Sequence, residues 1–180
     1  MKIKRTKIEG LILFEPTVFS DERGYFFENF RQEFLEESGV DLNFVQENES
    51  MSNAGSLRGL HLQAPPFAQD KLIRVVRGAI LDVAVDVRKQ SPTYGAHVAI
   101  ELNEKNKHSF LVPKGFAHGF YCLEDNTIVQ YKCSAYYNKD SEIGIIWNDP
   151  DIGIEWPQGP RILSKKDTVL PMFSDFKSPF

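Results

Sequence analysis

The chain has 180 residues, a length typical of one domain, and 42% of them are hydrophobic, as in an ordinary globular protein. The formal net charge of −4 argues against a protein that binds nucleic acid through bulk electrostatics, although a local cluster of Arg and Lys would still suit a small anionic ligand. Two cysteines, Cys122 and Cys133, are too few for a disulfide framework and favour a reducing compartment.

The beginning of the chain, Met1–Gly10, is basic, but the apolar stretch that follows it, Leu11–Phe14, is too short to be the hydrophobic region of a signal peptide. The longest nearly apolar run, Ala79–Val87, is interrupted by Asp82 and Asp86, so no segment is predicted to span a bilayer. We therefore expect a soluble, cytoplasmic protein with neither a membrane nor a nucleic acid as partner.

The first third of the chain is predicted to contain two strands and one helix. The strands are Leu11–Phe19 and Gly24–Phe30, which are rich in aromatic and β-branched residues and are separated by the polar turn Ser20–Arg23. The helix is Arg31–Ser38, and Gly39 follows it in the position where helices commonly end.

The centre of the chain has a more regular pattern. Lys71–Arg77 and Ala79–Arg88 read as strands, and Gly78 between them predicts a tight hairpin. Alternation in the second strand gives it one apolar and one more polar face. Further strands are predicted at His97–Leu102, Ser109–Val112, Gly119–Leu123, Ile128–Ala135 and Ile143–Trp147.

This spacing of short strands predicts an all-β sandwich or barrel of antiparallel strands, with one or two short helices. We expect a single domain over residues 1–180, with a core from about 11 to 150 and an irregular, proline-rich segment over 151–180.

Two histidines, His61 and His118, lie in mainly apolar segments, whereas His97 and His108 are predicted to be surface residues. Small β-barrels that bind a metal usually offer a His-x-His pair, a following Glu and a third His on a later strand. Here Gln63 stands where the second His would be, and no Glu follows at the expected distance. Because zinc and iron sites usually need three or more protein ligands, we expect no metal ion.

Without a metal, His61 is a candidate general base, since an ordinary histidine pKa of about 6.5 suits proton abstraction near neutrality. The alternative is a core histidine with satisfied hydrogen bonds. Such a base works better with a carboxylate partner. Spacing alone does not select Asp167 for this task, because Ser164–Asp167 resembles the capping box of a helix and the pattern alone favours a cap.

Other polar residues have both a functional and a structural interpretation. One group of basic residues could bind an anion, and its structural interpretation is a set of charges on solvated strand faces. The group consists of Arg23, Arg58, Lys71, Arg74 and Arg77. A tyrosine in a pocket can donate a proton or stack on a nucleobase, and its structural interpretation is ordinary strand packing. The candidates are Tyr131, Tyr136 and Tyr137. Asp82 and Asp86 are carboxylates of the kind that glycosidases use as a catalytic pair, but a structural role beside an arginine is favoured.

A series of segments, in order along the chain, matches a known family. The segments are Asp21–Glu28, Phe44–Ser50, Leu57–Gln63, Asp82–Arg88, Ser91–Thr93, Pro113–Phe120, Ile146–Pro150 and Leu163–Asp167. From about Leu13 to Leu170, the chain resembles the dTDP-4-dehydrorhamnose 3,5-epimerases, which are RmlC-like cupins. This resemblance implies a cupin-type jelly-roll β-barrel.

The resemblance also implies roles that the patterns left open. His61 matches the catalytic base and Asp167 its carboxylate partner, which replaces the cap interpretation. Tyr131 matches the proton donor, and Lys71 matches the lysine near the sugar ketone. Positions that match contacts to the nucleotide sugar are Arg23, Glu28, Gln46, Asn48, Arg58, His118, Glu142 and Lys166, while Tyr137 matches the residue that stacks on thymine.

The implied reaction converts dTDP-4-keto-6-deoxy-D-glucose to dTDP-4-keto-L-rhamnose by proton exchange at C3 and C5, in dTDP-L-rhamnose biosynthesis. No cofactor is expected, in keeping with the lack of a GxGxxG motif. The family forms homodimers in which N-terminal strands cross to the partner, so Arg23 and Glu28 are candidates for the neighbouring subunit's site.

Three alternatives remain at this point. One is a related cupin that inverts only C3 or only C5, or moves the ketone. The others are a non-catalytic sugar-binding cupin and a metal-dependent cupin oxygenase, which Gln63 disfavours. The departures from the family pattern are Glu47 in place of Asp and Leu62 in place of Phe, with a variable loop at Ala64–Pro66 that is expected to affect substrate entry.

Overall fold

Short antiparallel strands make up most of the regular structure in the computed structural model, which describes all residues from 1 to 180. The strands are β1 (Lys2–Arg5), β2 (Ile12–Glu15), β3 (Phe19–Asp21), β4 (Gly24–Phe26), β5 (Gln46–Ser52), β6 (Leu57–Gln63), β7 (Lys71–Arg77), β8 (Ala79–Asp86), β9 (His97–Asn103), β10 (Ser109–Val112), β11 (Phe116–Cys122), β12 (Thr127–Cys133) and β13 (Glu142–Gly144). One α-helix, α1, spans Gln32–Glu37, and 3₁₀ turns lie at Lys139–Ser141 and Phe173–Asp175. None of the helices combines the length and the apolar character that crossing a membrane requires.

The strands form two large sheets and one small ribbon. The first sheet has the order β1-β2-β10-β7-β12-β5, and the second has the order β13-β6-β11-β8-β9. All pairings within them are antiparallel, as predicted, and β3 and β4 pair only with each other. The two large sheets pack face to face around a core that includes Ile73, Val129, Phe110, Ile80 and Phe120.

The outer faces of both sheets are also covered. Leu35 of α1 packs with Phe14 and Leu72 on the outside of the first sheet. Trp156 and Phe176 of the C-terminal segment pack on the outside of the second sheet. This packing explains the alternation of residues in β8. The apolar face of β8 packs under the C-terminal segment, while its more polar face points between the two sheets.

The predicted hairpin at Gly78 is wrong. Strand β7 pairs with β10 and β12 in the first sheet, whereas β8 pairs with β9 and β11 in the second. Gly78 is therefore the corner at which the chain passes between sheets. Its φ of +77° suits glycine, and a Cβ atom there would lie 2.4 Å from the Oγ1 atom of Thr127. Alternation predicted the strands correctly, but it carries no information about their partners.

The predicted bounds near the N-terminus are only partly correct. Helix α1 lies inside the predicted Arg31–Ser38, and Gly39 follows it with a φ of +77°. The long predicted strand Leu11–Phe19 is divided between β2 and β3, and Gly24–Phe30 forms a strand only as far as Phe26. Strands β1, β5 and β6 were not predicted.

Asp86, at the end of β8, anchors the loop that follows. Its carboxylate accepts hydrogen bonds from the Arg88 guanidinium at 2.7 Å, from the Ser91 hydroxyl at 2.6 Å and from the Thr93 hydroxyl at 2.7 Å. Burial alone would raise the pKa of this carboxyl, but these donors outweigh it and lower the pKa to about 2. The structural role expected for Asp86 beside an arginine is confirmed.

Asp86→Ala is expected to lower the free energy of unfolding by about 3 kcal/mol, because it leaves Arg88 and two hydroxyls without their partner. Urea denaturation at pH 7 measures this loss. Since the folded pKa lies below the unfolded value of about 3.9, the contribution is complete above pH 4 and is lost as the pH falls towards 2. The stability of wild type and variant should therefore converge in acid, and equal stability at pH 7 would contradict the role of Asp86.

Candidate active site

A cavity of about 740 Å³ lies between the two sheets. Strands β5, β7 and β12 of the first sheet and β6, β11 and β13 of the second contribute side chains to its wall, with the segment 162–167 along one side. All of the site residues that the family resemblance implied, except Arg23 and Glu28, line it, namely Gln46, Asn48, Arg58, His61, Lys71, His118, Tyr131, Tyr137, Glu142, Lys166 and Asp167.

Strand register brings these residues together from distant parts of the chain. His61 of β6 lies opposite His118 of β11, and Asn48 of β5 lies opposite Tyr131 of β12. Side chains directly opposite in adjacent strands have Cβ atoms about 5 Å apart. Because alternate residues face the same side of a strand, the inner faces present polar groups to the cavity.

His61 and Asp167 form a close pair. The Nε2 atom of His61 lies 2.5 Å from Oδ1 of Asp167, whose other oxygen accepts a 2.8 Å hydrogen bond from the hydroxyl of Ser164. Burial raises the pKa of Asp167, but His61 and Ser164 outweigh it and the net shift is downward, so the carboxyl is ionised near neutrality. An ionised carboxylate at Nε2 favours a hydrogen on that nitrogen and leaves Nδ1 as the basic atom.

The segment that carries Asp167 does not begin a helix. Residues 165–168 form a turn, within which the backbone N–H of Asp167 lies 3.3 Å from the Ser164 hydroxyl and 3.1 Å from the Ser164 carbonyl. One capping-box contact, from the backbone N–H of Asp167 to the Ser164 hydroxyl, is therefore present without the helix, whereas the Asp167 carboxylate accepts from the Ser164 hydroxyl instead of the Ser164 backbone N–H. These two contacts fix the Asp167 carboxylate in the direction of His61.

Lys71 and Tyr131 lie on the wall opposite His61. Lys71 belongs to β7 and Tyr131 to β12, both in the first sheet, whereas His61 belongs to β6 in the second. Burial lowers the pKa of the Lys71 amino group, with nearby charges, including that of Asp82, opposing the shift. Burial likewise raises the pKa of the Tyr131 hydroxyl, which therefore stays protonated at neutral pH. The cavity thus has a histidine paired with a carboxylate on one wall and a lysine and a tyrosine on the other.

A second histidine–carboxylate pair lies deeper. His118 Nε2 is 2.8 Å from Oδ1 of Asp82, and Asp82 is completely buried. Asp82 is therefore held by a histidine rather than by the arginine that was expected.

The cavity mouth combines an aromatic ring with charged groups. Tyr137 is 55% exposed, and its hydroxyl donates to Glu142 at 3.0 Å. Lys166 donates to the other oxygen of Glu142 at 2.6 Å. Burial raises the pKa of Glu142, but its bonds to Lys166 and Tyr137 give a net lowering. Together with Arg58 and Lys71, Lys166 supplies positive charge suited to an anionic ligand.

Arg23 and Glu28 lie away from this cavity within the chain. Arg23 sits in the β3–β4 turn, where it bonds Asp21 and lines a separate surface hollow of about 520 Å³. Glu28 pairs with Arg31 before α1. Neither residue contributes to the cavity of its own chain.

No three His, Cys, Asp or Glu side chains in the chain lie together in an arrangement that could hold a metal ion. Gln63 stands where a metal-binding barrel usually has the second His of a His-x-His pair, and its side chain forms hydrogen bonds with backbone groups of two loops. Sequence reasoning missed this use of Gln63, and it also missed Ser164 as a partner of Asp167. The pairing of Asp82 with His118 was missed too, because His118 lies in β11 but just before the predicted strand Gly119–Leu123.

Known proteins are similar to this chain along nearly its whole length. The family model described as dTDP-4-dehydrorhamnose 3,5-epimerase matches residues 5–175. A dTDP-4-dehydrorhamnose 3,5-epimerase from Methanothermobacter thermautotrophicus is 50% identical over 166 residues, which cover 91% of this chain and 89% of that protein.

Solved structures are also similar to nearly the whole chain. RmlC from Legionella pneumophila, a dTDP-6-deoxy-D-glucose-3,5-epimerase in complex with dTDP-4-keto-L-rhamnose, has a TM-score of 0.94 and 43% identity, covering 98% of this chain and 94% of that one. ChmJ, a 3'-monoepimerase from Streptomyces bikiniensis in complex with dTDP-quinovose, has a TM-score of 0.89 and 36% identity, covering 94% and 86%.

These likenesses confirm the cupin-type jelly roll of antiparallel strands that the sequence predicted. Both the family model and the relatives extend over nearly the whole chain rather than over one motif. The chain therefore belongs to the dTDP-4-dehydrorhamnose 3,5-epimerase family.

Proposed function

We propose that this chain is an isomerase that converts dTDP-4-keto-6-deoxy-D-glucose to dTDP-4-keto-L-rhamnose by inverting C3 and C5, a step of dTDP-L-rhamnose biosynthesis. The observation that carries the proposal is the His61–Asp167 pair, which faces Tyr131 and Lys71 across one cavity. A sugar-binding protein without catalytic activity has no need of an oriented base and a proton donor on opposite walls.

The first step is removal of a proton beside the ketone. The 4-keto group makes the hydrogens on C3 and C5 acidic, because the electron pair left on carbon spreads onto the ketone oxygen. His61 takes the proton and becomes an imidazolium, whose charge Asp167 offsets. The product of this step is an enolate.

The enolate oxygen needs a donor that is already in position. Lys71 suits this task, because its half-buried side chain lines the cavity and forms no ion pair with a carboxylate of the protein. One such preorganised donor typically stabilises a transition state by about 3 kcal/mol. The same donor serves both inversions, since C3 and C5 flank the one ketone.

The second step returns a proton to the opposite face of the carbon. Tyr131 supplies it, which inverts the centre, and the tyrosinate and the imidazolium then recover their original protonation states by proton exchange with water. The carbon gains a proton from Tyr131 in place of the one that His61 removed, so no electron is transferred overall. The reaction therefore needs no redox cofactor.

The nucleotide part of the substrate fits the cavity mouth. Arg58 and Lys166 carry charges that suit the diphosphate, and the exposed Tyr137 ring suits stacking on thymine. The remaining polar groups proposed to contact the substrate are Gln46, Asn48, His118 and Glu142.

We also propose a homodimer in which the β3–β4 ribbon reaches the partner's site. Phe19, Tyr25 and Phe26 of this ribbon are exposed in the single chain, beside Arg23. Such a dimer would bring Arg23 and Glu28 to the other subunit's nucleotide. Sedimentation equilibrium measures the assembly state, and a monomeric, active protein would contradict this assignment.

A second candidate is an enzyme that inverts C3 alone, because the monoepimerase ChmJ shares the fold at 36% identity. Incubation with dTDP-4-keto-6-deoxy-D-glucose in D₂O, followed by NMR, distinguishes the two. We expect deuterium at C3 and C5 and the L-rhamno configuration in the product. Deuterium at C3 with inversion there alone would identify the monoepimerase, and no exchange at either carbon would contradict both functions.

Tyr131→Phe is expected to separate proton removal from inversion. Exchange of the C3 and C5 hydrogens with D₂O should continue through His61, while formation of the inverted product falls by about a hundredfold. The measurement is NMR of substrate and product over time. Tyr121→Phe is the matched control, because it removes a hydroxyl that bonds Pro160 outside the cavity. Equal loss of exchange and inversion would assign Tyr131 to the first step instead.

A further inference from the structure

Gln63 lies two residues after His61 on β6 and is almost completely buried. Its side chain makes three hydrogen bonds, and all of them go to the backbone. The amide nitrogen donates to the carbonyls of Phe67 at 2.6 Å and Tyr136 at 3.3 Å, and the amide oxygen accepts from the backbone N–H of Asn138 at 2.7 Å. Two of these bonds therefore hold the residues on either side of Tyr137.

Tyr137 is fixed by further contacts while its ring stays exposed. Its backbone N–H donates to the Gln46 side chain at 2.9 Å, and its hydroxyl donates to Glu142 at 3.0 Å. Hydrogen bonds thus hold the main chain on both sides of Tyr137, its own backbone N–H and its ring hydroxyl to the cavity wall. An exposed aromatic ring held in this way is preorganised for stacking, which reduces the ordering cost of binding.

The hydrogen-bonding groups around position 63 favour glutamine over glutamate and leucine, which are similar to it in size. A side chain there must accept from an N–H and donate to a carbonyl at the same time, and a primary amide does both. The carboxylate of glutamate only accepts, so it would face the carbonyl oxygens of Phe67 and Tyr136 without a hydrogen between them. Leucine fills a similar volume but offers neither group.

We propose that Gln63 is a positioning residue for the nucleobase, which acts by holding the loop that carries Tyr137 rather than by taking part in proton transfer. This inference rests on the proposed function, in which Tyr137 stacks on the base. Gln63 therefore controls affinity for the nucleoside end of the substrate, and it leaves the diphosphate site and the chemical step to other residues.

The test compares dTDP with inorganic pyrophosphate, which lacks the base. In Gln63→Leu, the Kd for dTDP measured by calorimetry should rise about tenfold, while that for pyrophosphate stays within twofold. KM for the keto sugar should rise with the Kd, and kcat at saturation should stay within threefold. Gln32→Leu is the control, because Gln32 bonds the carbonyl of Leu42 away from the cavity. A merely structural role would weaken both ligands alike and overturn the inference.

Tyr137→Ala completes a double-mutant cycle. If Gln63 acts through Tyr137, Gln63→Leu should change the dTDP affinity of Tyr137→Ala by less than twofold. A full tenfold loss in that background would overturn the inference. Gln63→Glu, which keeps the acceptor for Asn138, provides a second variant if the leucine variant unfolds, and it should show the same selective loss of dTDP. If Tyr137→Ala itself bound dTDP as wild type does, the nucleobase site of the proposed function would fail instead.

Discussion

His61→Ala is expected to lower kcat by about a thousandfold while the Kd for dTDP stays within twofold. General-base catalysis typically contributes a factor of 10² to 10⁴, and the loss here falls on the first bond to break. Asp167 would remain in the variant but would have no imidazole to orient. Nucleotide affinity should persist, because the proposed base and diphosphate contacts at Tyr137, Arg58 and Lys166 are untouched.

Deuterium exchange gives the sharper measurement of this loss. In D₂O, His61→Ala should leave the C3 and C5 hydrogens of the substrate unexchanged on the timescale of wild-type turnover. His108→Ala is a matched control, since His108 lies near Glu15 outside the cavity. Exchange at near wild-type rates in His61→Ala would reject His61 as the base, whatever happened to product formation.

How far the sequence predicts the fold is clearest in the two strands β8 and β5. In β8, alternation predicted the strand because apolar side chains line one face and pack under the C-terminal segment. In β5, the inward residues Gln46, Asn48 and Ser50 line the cavity, so the strand has no apolar face to detect. A strand that builds a polar site lacks the signal by which strands are recognised.

The active-site pair shows a similar limit. His61 and Asp167 lie 106 residues apart, and spacing could not select this carboxylate from the 25 acidic residues. The local pattern pointed to a cap, and Ser164 does make that contact, but the tertiary fold gives the same carboxylate a second partner. Only the resemblance to a family suggested the pair in advance, because it carries information about three-dimensional neighbours that local patterns lack.

The second large effect is expected at Lys71. Lys71→Met keeps an apolar chain of similar length but removes the donor to the enolate oxygen, so kcat should fall by 10² to 10³ at neutral pH. Folding should be retained, because the substitution relieves the burial of a charged group. Lys132→Met is the matched control, since Lys132 lies on the adjacent strand and pairs with Glu47 outside the cavity.

The pH profile assigns this loss to the charge of Lys71. Burial lowers the pKa of the Lys71 amino group, whereas it raises the pKa of the Tyr131 hydroxyl. Wild-type kcat should therefore decline on the alkaline side below the pH of about 10.4 at which an exposed lysine titrates. The residual activity of Lys71→Met should lack this decline. If the decline persisted unchanged in that variant, another group would be titrating, and the enolate would have to be stabilised by a donor other than Lys71.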